Sequence, residues 1–463
     1  MFAPETYSSR RANLKTKVKN GLLFFPGNNE TPMNYPANTY LYRQDSNFLY
    51  YWGIDDAHYD AVIDLDEDRD ILFGDDRPIG DVIWMGFDEP FKDKAAKANV
   101  TETRPSSDLE ATLRRAVQQG RRVHILPQYR HDNKIRVGEL LGLNPASIDL
   151  HASPEFVKAV IEQRSVKTKN EIEQIEQALD ISYEMNTTAM RMVRPGMKER
   201  EVFGAVEGIA LAKGRGVSFP IIFSVRGETL HNHSHENIMQ EGDLLVLDSG
   251  AESELHYASD ITRSFPVSGK FNERQKAIYE LVLRAQLEAI DRVKPGVLNK
   301  DIHLEVARIF VKGLSDLGVM KGDPEEAVSA GAHALFFPHG LGHMMGLDVH
   351  DMEGLGENYV GYDDETKRSE QFGLSGLRLA KELQPGYVLT VEPGLYFIPS
   401  LIDLWREEKK HADFINFDAA ESYKGFGGVR IEDDVLVTEN GSRVLGKKPI
   451  PKTVEEVEAA CAK

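Results

Sequence analysis

Four acidic residues stand in or at the ends of short strand-like runs, and the way they recur is the first chemical signal in the sequence. The runs Gly242 to Asp248 and Gly386 to Glu392 each enter through a glycine, continue through apolar residues and end on a carboxylate. Each is followed by a second strand-like segment with its own acid, Asp260 within Tyr257 to Arg263 and Glu432 within Gly428 to Glu432. Strand side chains alternate, so Asp248 shares a face with Leu244 and Val246, and Glu392 shares one with Val388 and Thr390. A carboxylate on a buried face needs a partner. Four of them converging from two strand pairs would be neutralised by cations.

The segment Pro338 to His350 adds imidazole, with His339, His343 and His350 spaced among glycines and apolar residues. Carboxylate-rich sites with one nitrogen ligand suit Mn²⁺, Co²⁺, Fe²⁺ or Zn²⁺ better than Ca²⁺. Two such ions, roughly 3.5 to 4 Å apart, share a water, generate hydroxide near neutrality and polarise a carbonyl, which suits amide hydrolysis. Glu392 is the candidate to take the proton during attack, and His350 the candidate to stabilise the tetrahedral oxyanion.

The elements that must position these groups are themselves duplicated. One long helical pattern closes on Val193, Arg194, Pro195 and Gly196 and opens a second helix ending near Lys213 and Gly214. Another closes on Val293, Lys294, Pro295 and Gly296 and leads to a helix ending near Lys312 and Gly313. Each helix pair precedes one of the acid-bearing strand pairs, so the repeat predicts two halves about a pseudo-two-fold axis. Ahead of them, residues 1–165 alternate strand-like runs (Leu22 to Phe25, Ala61 to Ile63, Asp70 to Phe73, Val123 to Leu126) with helical stretches, the pattern of an α/β domain. The Lys-, Asn- and Glu-rich stretch Ser165 to Glu176 places the boundary there, with the second domain at residues 166–463.

The bulk properties narrow the class. A chain of 463 residues predicts roughly two to four domains. Hydrophobic and charged fractions of 41% and 28% are those of a globular protein. A formal charge of -19 argues against nucleic acid or an anionic membrane as the main partner, because little basic surface is left to neutralise phosphates. The single cysteine, Cys461, excludes a disulfide framework or a thiolate metal site within one chain and fits a reducing compartment. The run Gly21 to Pro26 is too short for a signal or membrane segment, so the cytoplasm is the expected location.

From about residue 170 to the end the chain resembles the pita-bread metallopeptidases, specifically aminopeptidase P and prolidase. The resemblance rests on Leu247-Asp248-Ser249-Gly250, Ser259-Asp260-Ile261-Thr262-Arg263, His339-Gly340-Leu341-Gly342-His343, Asp348-Val349-His350-Asp351, Val391-Glu392-Pro393-Gly394 and Val429-Arg430-Ile431-Glu432-Asp433-Asp434, which occur in the family's order. It implies an α/β N-terminal domain before an α+β pita-bread domain. Asp248, Asp260, His343, Glu392 and Glu432 are then the ligands of two divalent ions, Mn²⁺ first among them, with Asp260 and Glu432 bridging. His231 and His350 contact substrate, Arg430 and Tyr396 shape the proline side, and Arg378 clamps a substrate carboxylate. The loop between Asp248 and Asp260 is one residue longer than in the family.

The N-terminal domain resembles the family's non-catalytic domain through Tyr42 to Tyr51, which relatives use for oligomer contacts. A homodimer or homotetramer is implied, with Trp84 reaching a neighbouring subunit's site. Read by itself, Trp84 is a core or interface aromatic. The implied reaction is release of the residue preceding proline from a peptide. The run Tyr42 to Tyr51 leans towards aminopeptidase P, whereas the insert Ser400 to Phe426 and the position of Arg378 lean towards a dipeptidase. A binding protein of the same fold would lack the ligand acids. Asp433 and Asp434 are expected to be solvated or salt-bridged, His256 and His303 to lie on surfaces, and His339 to be a satisfied neighbour of the site.

Overall fold

The computed structural model describes residues 1–462, and the chain divides into two compact units. One comprises Met1–Arg164 and Met352–Tyr359, the other Ser165–Asp351 and Val360–Lys463.

The first unit is built on a five-stranded sheet in the order Glu102–Arg104, Arg69–Phe73, Asp60–Asp64, Leu22–Pro26, Val123–His124. The three inner strands pair antiparallel and the two edge strands parallel. Leu22, Phe24, Val62, Ile71 and Phe73 pack on Leu109, Leu113 and Ala116 of the helix Asp108–Gln118 and Val137 of the helix His131–Leu141. The strand expected over Val123 to Leu126 keeps only its first two residues in the sheet, where they pair with Leu22 and Leu23. Trp84 belongs to no core in this unit. It is 84% exposed on the short helix Ile79–Met85, beside Ile79, Ile83, Met85 and Phe87, all similarly bare.

The second unit carries the duplication. Helices Lys169–Met192 and Glu199–Lys213 form one pair, Glu273–Arg292 and Asn299–Asp316 the other. Thr168 and Asn272 cap the long helices with matching capping boxes. Gly196 and Gly296, at φ +90° and +82°, make the turns after the prolines. The backbone hydrogen bonds repeat as well. Gly196 N donates to Met239 O and Gly296 N to Leu383 O. Met239 N donates to Met197 O and Leu383 N to Val297 O. Glu199 N donates to Asn237 O and Asn299 N to Lys381 O. Each half thus ties its second helix to the segment leading into its acid-bearing strand. The helix expected to end near Gly313 runs one turn further, because its last residues bury Leu314.

Strand Leu244–Ser249 lies between Ile222–Ser224 and Ile261–Pro266, with Asp248 opposite Thr262. Strand Val388–Val391 pairs with Asp433–Val437, and Gly394–Tyr396 with Gly428–Arg430. The expected strand from Tyr257 to Arg263 begins only at Ile261, since Ala258 bonds instead to Gly346 O and pairs singly with Glu252. The expected run from Gly428 to Glu432 likewise stops at Arg430. The chain changes partners there, and Glu432 falls in the gap between two strands.

Candidate metal centre

All four acids reach the centre from strand ends or interruptions. Asp248 is the penultimate residue of its strand, Asp260 immediately precedes one, Glu392 follows one, and Glu432 sits where two strands with different partners meet. Backbone bonds fix this arrangement: Glu432 N donates to Thr262 O at 3.1 Å, Glu392 N to Leu341 O at 2.8 Å, and Thr390 N to His343 O at 3.0 Å. His343 N in turn donates to Thr390 Oγ1 at 3.1 Å, so the histidine loop is stitched to the strand that delivers Glu392.

The side chains meet. One ligand atom each from Asp260, His343 and Glu432 lie within 4.8 Å of one another. His343 Nε2 stands 3.4 Å from Asp260 Oδ2 and 3.8 Å from Glu392 Oε1. The other ring nitrogen, Nδ1, is 3.0 Å from Met344 O, an acceptor, so Nδ1 carries the proton and Nε2 presents a lone pair to the carboxylates. A lone pair facing carboxylate oxygens is repulsive unless a cation or a shared proton lies between them. Asp248 Oδ1 and Asp260 Oδ1 are buried with no hydrogen-bond partner. Such orphaned oxygens, together with the orientation of His343, are what a divalent-ion site requires, and the donor set fits it.

Electrostatics agree. Burial first, and then the neighbouring carboxylates, hold Asp260 and Glu432 well above the usual carboxylate range. Burial also raises Glu392, against the opposing pull of His343 and Arg430. Thr262 Oγ1 donates to Glu432 Oε2 at 2.6 Å. Arg430 donates to Asp248 Oδ2 at 2.6 Å, to Thr262 Oγ1 at 3.1 Å and to Tyr396 OH at 2.8 Å. Tyr396 then serves His339. Since His339 Nδ1 lies 2.7 Å from Gly340 O, its Nε2 is the acceptor for the Tyr396 hydroxyl at 2.9 Å. Burial, reinforced by Arg430, lowers His339 to about 3, while burial pushes Tyr396 up to about 12.

A cavity of about 580 Å³ opens onto this cluster. Asp248, Asp260, His343, Glu392, Glu432, His231, His350, Arg378 and Arg430 all line it, and Tyr396 stands behind Arg430. The rings of His343 and His350 are 4.0 Å apart. Burial, then Arg430, lowers the pKa of His231. Apolar walls come from Phe219, Pro220, Ile222, Leu230, Pro338 and Val349.

The structure adds to and corrects the residue assignments. His339, expected as a satisfied neighbour of the site, lines the cavity with both ring nitrogens bonded, and His233 lines it as well. Asp433 is salt-bridged as expected, to Arg263 at 2.6 Å and Lys452 at 2.7 Å, and is lowered to about 2 despite burial. Asp434 is neither solvated nor salt-bridged. It is fully buried, accepts from Asp260 N at 3.1 Å, and is held well above the usual range by burial. His303 is buried, not on the surface, because it falls on the apolar stripe of its helix with Val306, Ala307 and Phe310 and stacks on Phe337. That three-and-four spacing was the available signal. His256 is also buried: the long Asp248 to Asp260 loop folds back on itself, and its ring bonds Glu252 Oε2 at 2.5 Å.

Comparisons with known proteins show the family to which the chain belongs. The profile of metallopeptidase family M24 matches residues 173–439, and that of the aminopeptidase P N-terminal domain matches residues 7–125. The chain is 35% identical over 462 residues to a human Xaa-Pro dipeptidase, covering 95% of this chain and 88% of that protein. It is 34% identical to a probable Xaa-Pro aminopeptidase of Sordaria macrospora, covering 96% and 92%. Among solved structures, zinc-substituted Escherichia coli aminopeptidase P in complex with product superimposes with a TM-score of 0.80 at 29% identity, over 99% of this chain and 98% of that one. Pseudomonas aeruginosa aminopeptidase PepP gives 0.81 at 28%, over 100% and 99%. The expected architecture, an α/β domain followed by a pita-bread domain, is the one these proteins share. The chain belongs to metallopeptidase family M24 and is an enzyme of that family with an aminopeptidase P N-terminal domain.

Proposed function

We propose that the protein is a Xaa-Pro aminopeptidase, releasing the residue ahead of proline from the N-terminus of a peptide. The observation that carries the reading is the gathering of Asp248, Asp260, Glu392 and Glu432 with His343 around one cavity, His343 Nε2 standing 3.4 Å from Asp260 Oδ2 and 3.8 Å from Glu392 Oε1. Asp248, Asp260, His343, Glu392 and Glu432 would hold two divalent ions, with Mn²⁺ the first candidate. When bound, such ions activate water near neutral pH and polarise the scissile carbonyl.

The remaining work falls to the chain's own residues. The carboxyl of Glu392, raised by burial, is suited to accept a proton during attack and return it to the leaving amine. His231 and His350 line the same cavity and would orient the peptide, with His350 beside the developing oxyanion. Arg430, held by Asp248 and Tyr396, shapes the proline end, and Arg378 offers a guanidinium to a substrate carboxylate.

Two observations favour a Xaa-Pro dipeptidase as the second reading. The human relative bears that name, and the insert between Glu392 and Glu432 is ordered as helices Pro399–Glu407 and Phe417–Glu421. Turnover of an Xaa-Pro-Yaa tripeptide and an Xaa-Pro dipeptide by one Mn²⁺-loaded preparation separates them. The tripeptide is expected to be cleaved, and Glu392→Ala to abolish cleavage. Turnover of the dipeptide alone replaces the first reading with the second.

The exposed residues Ile79, Ile83, Trp84, Met85 and Phe87 support assembly with further copies as a homodimer or homotetramer. Light scattering of the purified protein tests this. No helix among the described residues is long and apolar enough to cross a membrane. With Cys461 the lone cysteine, a cytoplasmic location follows as part of the proposal.

A further inference from the structure

Lys167 and Asp351 form an ion pair, Nζ to Oδ2 at 2.9 Å, with each side chain 1% exposed. Neither lines the cavity or belongs to the ligand set. Burying two charges is costly, and a buried pair is by itself weak evidence of stabilisation. Its surroundings give it another role.

Asp351 directly follows His350. Its Oδ1 accepts from Asp348 N at 3.2 Å, and its own N donates to Met344 O at 2.9 Å. That same carbonyl accepts from His343 Nδ1 at 3.0 Å. Within the turn, Gly346 N donates to Asp348 O at 3.1 Å, and Gly346 O accepts from Ala258 N at 2.8 Å, two residues before Asp260. The pair packs directly on this backbone. A Cβ at Gly346 would stand 2.5 Å from Asp351 Oδ2 and 3.0 Å from Lys167 Cε. Lys167 N donates to Gly386 O at 2.8 Å, at the entry to the strand that leads to Glu392. The turn bearing both the His343 and His350 rings is therefore folded around one buried carboxylate, and Lys167 brings a cation to it from a remote part of the chain.

We infer that the Lys167–Asp351 ion pair is a positioning device that holds the His343 and His350 rings in register at the metal centre. The inference rests on the peptidase reading above, in which His343 is a ligand and His350 meets the reacting group. Lys167 and Asp351 are positioning residues and touch neither ion nor substrate. Without Lys167 Nζ, the turn must open to hydrate the Asp351 carboxylate, or the carboxyl must take up a proton. In either case His350, its chain neighbour, and the Met344 carbonyl that sets the His343 tautomer shift with it.

The test compares the full-length wild type with Lys167→Met and with the double variant Lys167→Met/Asp351→Asn, checked for folding by circular dichroism. Breaking one side of a buried pair leaves an uncompensated charge, whereas neutralising both sides does not. Thermal stability is therefore expected to fall in the single variant and to recover in the double. Kinetics and metal binding are expected not to recover. In both variants kcat falls by about tenfold or more with KM within about threefold, and Mn²⁺ affinity by calorimetry weakens by about tenfold, the scale seen when supports of metal ligands are removed. A double variant with wild-type kcat and wild-type Mn²⁺ affinity overturns the inference, leaving the pair a purely structural contact. Should Lys167→Met fail to fold, the double variant decides alone. A wild type inactive on both Xaa-Pro peptides refutes the peptidase reading instead, and the Mn²⁺ affinities then decide the positioning role.

Discussion

Arg430 Nη2 donates to Asp248 Oδ2 at 2.6 Å, with the two side chains 4% and 12% exposed. Burial works against the guanidinium charge, but Tyr396, Asp248, Glu432 and Glu392 outweigh it and raise the pKa of Arg430 well above its ordinary value. Arg430 is thus a resident cation beside four acids. Arg430→Met is expected to destabilise the metal-free protein by about 3 kcal/mol, as when one partner of a buried pair is deleted. Added Mn²⁺ should raise the melting temperature of the variant more than that of the wild type. An equal rise in both would show that Arg430 shares no electrostatic role with the ions.

Metal removal should matter more at high pH. Asp260 and Glu432 have folded pKa values well above the carboxylate range, so in the metal-free state they bind more protons than the unfolded chain does. Metal-free stability therefore falls as pH rises from about 4 through the raised values. Divalent ions relieve the repulsion, while protons compete with them at low pH. Chelation is expected to lower the melting temperature more at pH 8 than at pH 6, and a reversed order would contradict the clustering of acids.

Two buried histidines away from the ligand set predict an acid weakness. Burial lowers His303 to about 3 and His333 to about 4, and neither ring nitrogen of either has a hydrogen-bond partner. Between pH 6.5 and those values the unfolded chain binds the extra protons, so stability is lost as pH falls below 6.5. The loss from His303 is on the order of 2 kcal/mol at pH 5. His303→Phe keeps a ring against Phe337 and breaks no hydrogen bond, so it should flatten the stability profile between pH 7 and 5. Denaturant titrations at both pH values read this, and an unchanged slope would exclude His303 as its source.

Gly342 is required by close approach. A Cβ there would stand 1.9 Å from Thr390 O, at the stitch between His343 and the strand leading to Glu392. Gly342→Ala must push these segments apart, at a cost of roughly 2 to 3 kcal/mol. Weaker Mn²⁺ binding is expected alongside the lower stability, and calorimetry on the folded variant measures it.

Much of this was legible from sequence because it is local. The capped helices ending on Arg194-Pro195-Gly196 and Lys294-Pro295-Gly296, and the apolar strands ending on Asp248 and Glu392, announce themselves by period and punctuation. Some residues were misread. His303 lies on the apolar stripe of its helix, where the three-and-four spacing outweighs the polarity of the ring, whereas Asp434 is buried because its neighbour in space is the Asp260 amide, 174 residues away in the chain.

By itself, the sequence determined the duplicated scaffold and the kinds of ligand it carries, since periodicity, turns and residue chemistry are properties of short segments. Tertiary structure alone decided which His343 nitrogen faces the acids, which carboxylate Arg430 neutralises, and that Lys167 reaches Asp351. Those are distances between residues far apart along the chain, and only the packing of the folded unit sets them.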